Sequence, residues 1–140
     1  LSEKRWRSIF QKLLLATQDM QSFRVVGRDQ ECIEAVRSIY LDKTCERLDK
    51  LRTNSLFLSF FSQPIYINGE KHRSLDEILE LLPTSVGTLL SSGAENRFSI
   101  IHGDLCFTNI LVEDTYNFMR LIDPRGKFGT FDIYGDRYYE

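Results

Sequence analysis

Two carboxylates and one carboxamide lie close together in the second half of the sequence, each beside a short apolar segment. Asp104 comes shortly after one such segment, Asn109 directly precedes the next, and Asp123 directly follows the third. Mg²⁺ takes oxygen ligands of this kind and often binds one or two of them together with substrate phosphates. Residues of these types at the edges of apolar segments are typical of metal-assisted phosphoryl transfer, with Asp104 as the candidate base.

The segments beside Asn109 and Asp123 are predicted to form a β-hairpin. Aliphatic runs at 110–112 and 119–122 are separated by a polar stretch that can turn. A three-residue loop at Thr115-Tyr116-Asn117, with Asn117 in the left-handed conformation, would pair Val112 with Arg120 and Asn109 with Asp123. Paired residues lie about 4.5 to 5.5 Å apart at Cα, so the two side chains would reach one common cation.

Each of these residues also has an ordinary structural explanation. An Asp before a Pro, as at Asp123, is more often a strand end than a metal ligand. An Asn at a strand entrance is usually a turn residue, and Asp104 after Gly103 would cap a turn through its own side chain. The functional interpretation is favoured because the hairpin, the spacing and the apolar flanks occur together.

The same residues resemble the small-molecule kinases related to aminoglycoside phosphotransferases and choline kinases, which share the protein-kinase-like fold. The segment His102-Gly103-Asp104-Leu105 with Asn109 is similar to their catalytic loop, and Leu121-Ile122-Asp123 is similar to their metal-binding strand end. The segment from Gly135 to Glu140 resembles the start of the family's following motif. That motif usually has Asp-Pro after the Gly, and a later Asp where this chain has Glu140.

A narrower resemblance concerns the residues between these motifs. Cys106-Phe107-Thr108-Asn109-Ile110-Leu111 and Asp123-Pro124-Arg125-Gly126 are most similar to bacterial members associated with cell-surface, or capsular, polysaccharide biosynthesis.

The resemblance implies a role for each matching residue. Asp104 would accept the proton of a substrate hydroxyl, while Asn109 and Asp123 would hold Mg²⁺ against the phosphates of ATP. His102 would be a supporting residue that fixes the loop. Arg125 would meet the developing charge on the phosphoryl group, since a guanidinium matches phosphate oxygens as a fork. Lys127 would do so more loosely, and a solvated or ion-paired surface role is the alternative for both cations.

The N-terminal half lacks what such kinases use to bind the nucleotide. No G-x-G-x-x-G occurs, and nothing before residue 60 resembles a run of strands. The chain begins at Leu1 without Met and stops at Glu140 inside a family motif. We therefore expect residues 1–140 to be a single catalytic-lobe fragment without the nucleotide-clamping lobe, inactive or nearly so by itself. The substrate would be a small-molecule hydroxyl of a sugar or amino alcohol.

Two rival functions remain open at this point. The first is a non-catalytic kinase-like module that binds a partner or a nucleotide. The second is a metallophosphoesterase, suggested by His102-Gly103-Asp104. Sites of that class need several His and Asp ligands for two metal ions, and two histidines are too few.

The composition of the chain further narrows the possible classes of protein. At 140 residues and 42% apolar content the chain is long enough for one core. A net charge of −2 gives no basic stripe for nucleic acid, and no apolar run approaches the roughly 20 residues that span a membrane. The three cysteines have no C-x-x-C spacing, which predicts neither a disulfide framework nor a zinc site and fits a cytoplasmic location. Cys106 is expected to be a small buried residue, and nothing in the sequence indicates an oligomeric state.

The expected fold class is α+β and mainly helical, the C-terminal lobe of a protein-kinase-like fold with two small β-hairpins. An amphipathic helix is predicted at 3–21 with its aromatic stripe buried in the core, and one long or two shorter helices at 28–51. The apolar run at 56–61 is expected to be buried, and Asn68-Gly69 predicts the first hairpin. A capping box at Ser74 starts a helix that ends at Pro83, followed by another that ends near Gly93.

Overall fold

The computed structural model describes residues 2–91, 93–113 and 118–139. The fold is α+β and mainly helical, as predicted. The helices are α1 (Glu3–Gln21), α2 (Asp29–Arg37), α3 (Lys43–Arg52), α4 (Leu58–Ser62) and α5 (Leu75–Leu90). The strands are β1 (Ile65–Ile67), β2 (Glu70–His72), β3 (Phe98–Ile100), β4 (Ile110–Glu113), β5 (Phe118–Leu121) and β6 (Tyr134–Asp136). They form three two-stranded antiparallel sheets, β1–β2, β3–β6 and β4–β5.

The chain divides into two compact units. Leu1–Cys32 together with Gly93–Glu140 form the first, and Ile33–Ser92 form the second. All residues that the sequence indicates for chemistry belong to the first unit. None of the helices in the described part of the chain is long and apolar enough to cross a membrane.

Helix α1 begins and ends where predicted, but its aromatic side chains are not buried as predicted. Ser2 caps it by accepting a hydrogen bond from the Arg5 backbone N–H. Ile9 is the one buried residue of this helix, whereas Trp6 and Phe10 are 39% and 49% exposed. The aromatic side chains line a surface groove with Phe107 and the β4 side chains instead of entering the core.

The core of the first unit is built around a strand pair that the sequence patterns did not indicate. Strands β3 and β6 pair Phe98 with Asp136 and Ser99 with Gly135. Phe98 lies against Phe128 and Phe131, with ring centroids 5.6 and 5.0 Å apart. Each strand has only three residues and the two are far apart in sequence, so neither alternation nor a turn signal indicates the pairing.

The helical run that begins at Asp29 is continuous to Arg52. A π-helical turn at Ser38–Asp42 joins α2 to α3, within the predicted helical range. The apolar run at 56–61 is mostly exposed, and Phe61 is its one buried residue, so the predicted burial is wrong. The reason is geometric, since a 3-10 turn followed by a five-residue helix presents only one side to the interior.

The hairpin and the helix that follows it agree with their local signals, except at the proline. Asn68 and Gly69 have φ values of 53° and 85°, which a type I′ turn requires. Ser74 and Glu77 form the predicted capping box, and the hydrogen bonds that Ser74 donates lower the pKa of the Glu77 carboxyl. Helix α5 continues through Pro83 to Leu90, so the predicted break is wrong. Burial of Val86 beyond the proline helps offset the lost backbone hydrogen bond.

Candidate functional site

The β4–β5 hairpin forms as predicted, but in a different register. Leu111 pairs with Arg120 and Glu113 with Phe118, so each pair is shifted by one residue from the expected one. Four residues, not three, separate the last pair, and the predicted loop Thr115-Tyr116-Asn117 lies outside the described residues. The predicted pairing of Asn109 with Asp123 is therefore wrong.

In the observed register Asn109 faces the residue before Asp123. The backbone N–H of Ile122 donates to the carbonyl oxygen of Asn109 over 3.0 Å. The Asn109 backbone thus contacts the strand end that leads into Asp123. The two residues remain close in the hairpin, although they are not direct partners.

The loop at residues 102–109 brings Asp104 and Asn109 together. The Asn109 side chain is buried within it, and its Nδ2 donates to the backbone carbonyl of Asp104 over 2.9 Å. The Asp104 carboxylate itself is exposed. Because the amide nitrogen of Asn109 is used inside the loop, its Oδ1 is the atom suited to a cation or another donor.

His102 connects the 102–109 loop to both sides of Asp123. Its ring is 4% exposed, and Nε2 donates to the carbonyl oxygen of Ile122 over 2.9 Å. Its own carbonyl accepts from the backbone N–H of Arg125 over 2.8 Å. These contacts support a role in fixing the loop, which is the function the resemblance implies for His102.

Asp123 adopts an unusual backbone conformation. Its φ is 57°, in the left-handed region that non-glycine residues rarely enter, although Asp tolerates it better than most. Hydrogen bonds to Ile122 on one side and Arg125 on the other hold it there. Strained conformations of this kind persist only where the surrounding structure compensates for their cost. They are found most often at functional sites. The Asp123 side chain is exposed.

Arg125 follows Asp123 and packs closely on the 102–109 loop. Its side chain is exposed, and Nη1 donates to the Tyr139 hydroxyl over 2.5 Å. Gly103 has a φ of 77°, and a Cβ on it would lie 3.0 Å from the Arg125 Cβ. The two segments therefore approach each other at a position that favours glycine.

Several residues near the site have positions that sequence reasoning did not anticipate. Arg97 and Asp136 form a buried ion pair, with side chains 10% and 0% exposed. No local pattern indicates this pair, because its two residues are 39 positions apart in the sequence. Cys106 is exposed, contrary to the expectation of burial, and its Sγ lies 3.1 Å from the Thr108 hydroxyl.

The donor set matches one kind of metal better than others. In the described ranges, no three His, Cys, Asp or Glu residues come close enough together to hold a metal ion. One carboxylate, from Asp123, and one carboxamide oxygen, from Asn109, are too few for a structural metal. They fit Mg²⁺ that is bound jointly with substrate phosphates.

No family model, curated protein or solved structure matches this chain.

Proposed function

We propose that this protein is a small-molecule kinase that transfers the γ-phosphoryl group of ATP to a hydroxyl of a sugar or an amino alcohol. The main supporting observation is the contact of Asn109 with both the Asp104 loop and the strand end before Asp123. These contacts connect Asn109 to the backbone of Asp104 and to the backbone of Ile122, which directly precedes Asp123. The motif resemblance supports the same chemistry.

In this mechanism Asp104 accepts the proton of the attacking hydroxyl. Its carboxylate is exposed, so a substrate can reach it, while its backbone carbonyl is held by Asn109. Phosphoryl transfer requires little covalent work from the protein, because positioning and charge stabilisation supply most of the rate. Asp104 would therefore act mainly by orienting the nucleophile.

Asn109 and Asp123 would hold Mg²⁺, with Oδ1 and the carboxylate as ligands. When bound, Mg²⁺ would neutralise charge on the phosphate oxygens. His102 would keep the two segments in register through its bonds to Ile122 and Arg125. Arg125 would stabilise charge on the phosphoryl group.

The narrower resemblance supports a saccharide acceptor. The residues around Asn109 and Asp123 are most similar to members associated with bacterial cell-surface polysaccharide biosynthesis. We therefore place sugars ahead of amino alcohols as the acceptor class.

The test is a transfer assay on the complete protein with γ-labelled ATP, Mg²⁺ and a panel of sugars, amino sugars and choline. We expect label on at least one acceptor, and a loss of several orders of magnitude in turnover in Asp104→Ala. Asp132→Ala is the matched control, because it removes an exposed carboxylate of the same unit outside the site. Near-normal turnover in Asp104→Ala would contradict the proposal. Nucleotide binding without transfer to any acceptor would favour a non-catalytic binding module.

A further inference from the structure

We propose that Tyr139 is a positioning residue that holds the Arg125 guanidinium ready for the oxygens of the phosphoryl group during transfer. This inference rests on the proposed function and adds a residue and a task to it. Three observations support it: the fixed backbone of Arg125, the charge that its side chain retains, and the anchoring of Tyr139.

The first observation concerns the base of the Arg125 side chain. Its backbone N–H donates to the His102 carbonyl over 2.8 Å, and its Cβ lies directly over Gly103. Both contacts are with the loop that presents Asp104. The starting point of the side chain is therefore fixed relative to the candidate base.

The second observation concerns the partner of the guanidinium. Nη1 donates to the Tyr139 hydroxyl, and the guanidinium carbon lies 5.9 Å from the centre of the same ring. Within the described ranges, no carboxylate comes within ion-pair distance of Arg125. A neutral phenol orients the guanidinium without neutralising its charge, and the remaining N–H groups suit phosphate oxygens.

The third observation is that Tyr139 is itself held by the core. Its ring packs edge-on against Phe128, with centroids 5.1 Å apart, and Phe128 is 1% exposed. Its backbone N–H donates to the Asp136 carbonyl over 2.9 Å, and Asp136 is fully buried. The exposed Arg125 side chain is thus linked through the Tyr139 hydroxyl to a ring that packs on the buried Phe128.

Removal of that hydroxyl should release the guanidinium without removing its charge. The entropic cost of ordering one long side chain corresponds to a roughly two- to thirteenfold change in rate. We expect Tyr139→Phe to lower kcat by about this factor and to leave KM for ATP nearly unchanged, because the contact matters in the transition state. Unchanged kcat, or a raised KM at constant kcat, would overturn the inference.

A double-variant comparison tests whether Tyr139 acts through Arg125. In an Arg125→Ala background, Tyr139→Phe should have no further effect on kcat, whereas additive losses would show an independent role and overturn the inference. Tyr138→Phe is the matched control. It removes the same atom one residue away, from a hydroxyl that accepts a hydrogen bond from Arg137, and should leave kcat unchanged.

A second measurement does not depend on turnover. The Nε–H resonance of Arg125 in ¹⁵N-labelled protein should show an ordered side chain in the parent and in Tyr138→Phe, and a mobile one in Tyr139→Phe. Equal order in all three proteins would overturn the positioning role. Loss of order in Tyr139→Phe, in a protein that transfers no phosphoryl group, would uphold the positioning contact and reject the proposed kinase function instead.

Discussion

At the scale of single residues, both ends of the Asn109 carboxamide have a part in the candidate site. Nδ2 donates to the Asp104 carbonyl, and Oδ1 is the candidate ligand for Mg²⁺. An aspartate at this position would keep a ligand oxygen but lose the donor. The nitrogen explains why an amide, and not a second carboxylate, suits the loop.

We predict that Asn109→Asp destabilises the protein by about 1 to 3 kcal/mol. The Asp104 carbonyl then loses one of its two donors, keeping only the Cys106 N–H, and faces an oxygen of a buried carboxylate instead. Urea denaturation measures the change. Asn54→Asp is the control, since Asn54 uses its side-chain oxygen to accept from the Leu56 N–H, and Asp retains that acceptor. Equal stability of the two variants would contradict the assigned orientation of the Asn109 amide.

Two substitutions at Asp123 can separate the effect of its charge from the effect of its backbone conformation. We predict that Asp123→Asn stays within about 0.5 kcal/mol of the parent in stability while losing phosphoryl transfer, because Asn also tolerates a positive φ. Asp123→Val should in addition lower the unfolding free energy by about 1 to 2 kcal/mol, since a β-branched residue is strained there. Thermal unfolding and the labelled-ATP assay measure the two effects. Full transfer activity in Asp123→Asn would show that the charge is not needed.

At the scale of elements, the β3–β6 pair is tightly packed at Gly135. A Cβ on this glycine would lie 2.9 Å from the Phe128 Cβ and would also collide with the Ile101 side chain. Strand β3 leads directly into the loop with His102 and Asp104. Packing at Gly135 therefore affects the segment on which the site depends.

We predict that Gly135→Ala lowers the unfolding free energy by about 1 to 3 kcal/mol through overpacking. Gly87→Ala in α5 is the matched control. Its Cβ meets nothing within 4 Å, and Ala in a helix should stabilise the protein by about 0.5 to 1 kcal/mol. Denaturant midpoints compare the two. We expect the two substitutions to change the unfolding free energy in opposite directions. An unchanged unfolding free energy in Gly135→Ala would contradict the observed packing.

The elements also show what the sequence can and cannot specify. Local signals located α1, the Asn68-Gly69 hairpin and the Ser74 cap, because each depends on interactions within a few residues. The β4–β5 register depends on whether the loop has three or four residues, and the mostly polar sequence at 113–117 is compatible with both lengths. The long-range β3–β6 pairing has no local signal at all. Of the candidate site, residue types were readable, but the partners of Asn109 and Arg125 required coordinates.

At the scale of the whole chain, one buried ion pair joins distant parts of the first unit. Arg97 donates to both carboxylate oxygens of Asp136, which lies 39 positions further along the chain. Asp136 also accepts from the Tyr138 backbone N–H, just before Tyr139. The pair thus connects the strand before the 102–109 loop with the residue that holds Arg125.

We predict that Arg97→Met lowers the unfolding free energy by about 3 to 5 kcal/mol, because it leaves the Asp136 carboxylate buried without its charge partner. Denaturant unfolding measures this. Glu46→Gln breaks the exposed pair with Lys50 and should leave the midpoint unchanged. A small effect of Arg97→Met would indicate that Asp136 has sufficient other partners.

We propose that Asn109 and Asp123 hold one divalent cation together with the phosphates of ATP, with Asp104 nearby as the base. The most direct test replaces Mg²⁺ by paramagnetic Mn²⁺ in the presence of ATP, and follows line broadening in the NMR spectrum of the protein. Because this broadening falls off steeply with distance, the Asn109 side-chain amide and the backbone amides of Asp104 and Asp123 should broaden first, and should stay sharp in Asp123→Ala. If these signals remain sharp in the parent while other acidic segments broaden, the proposed site is wrong.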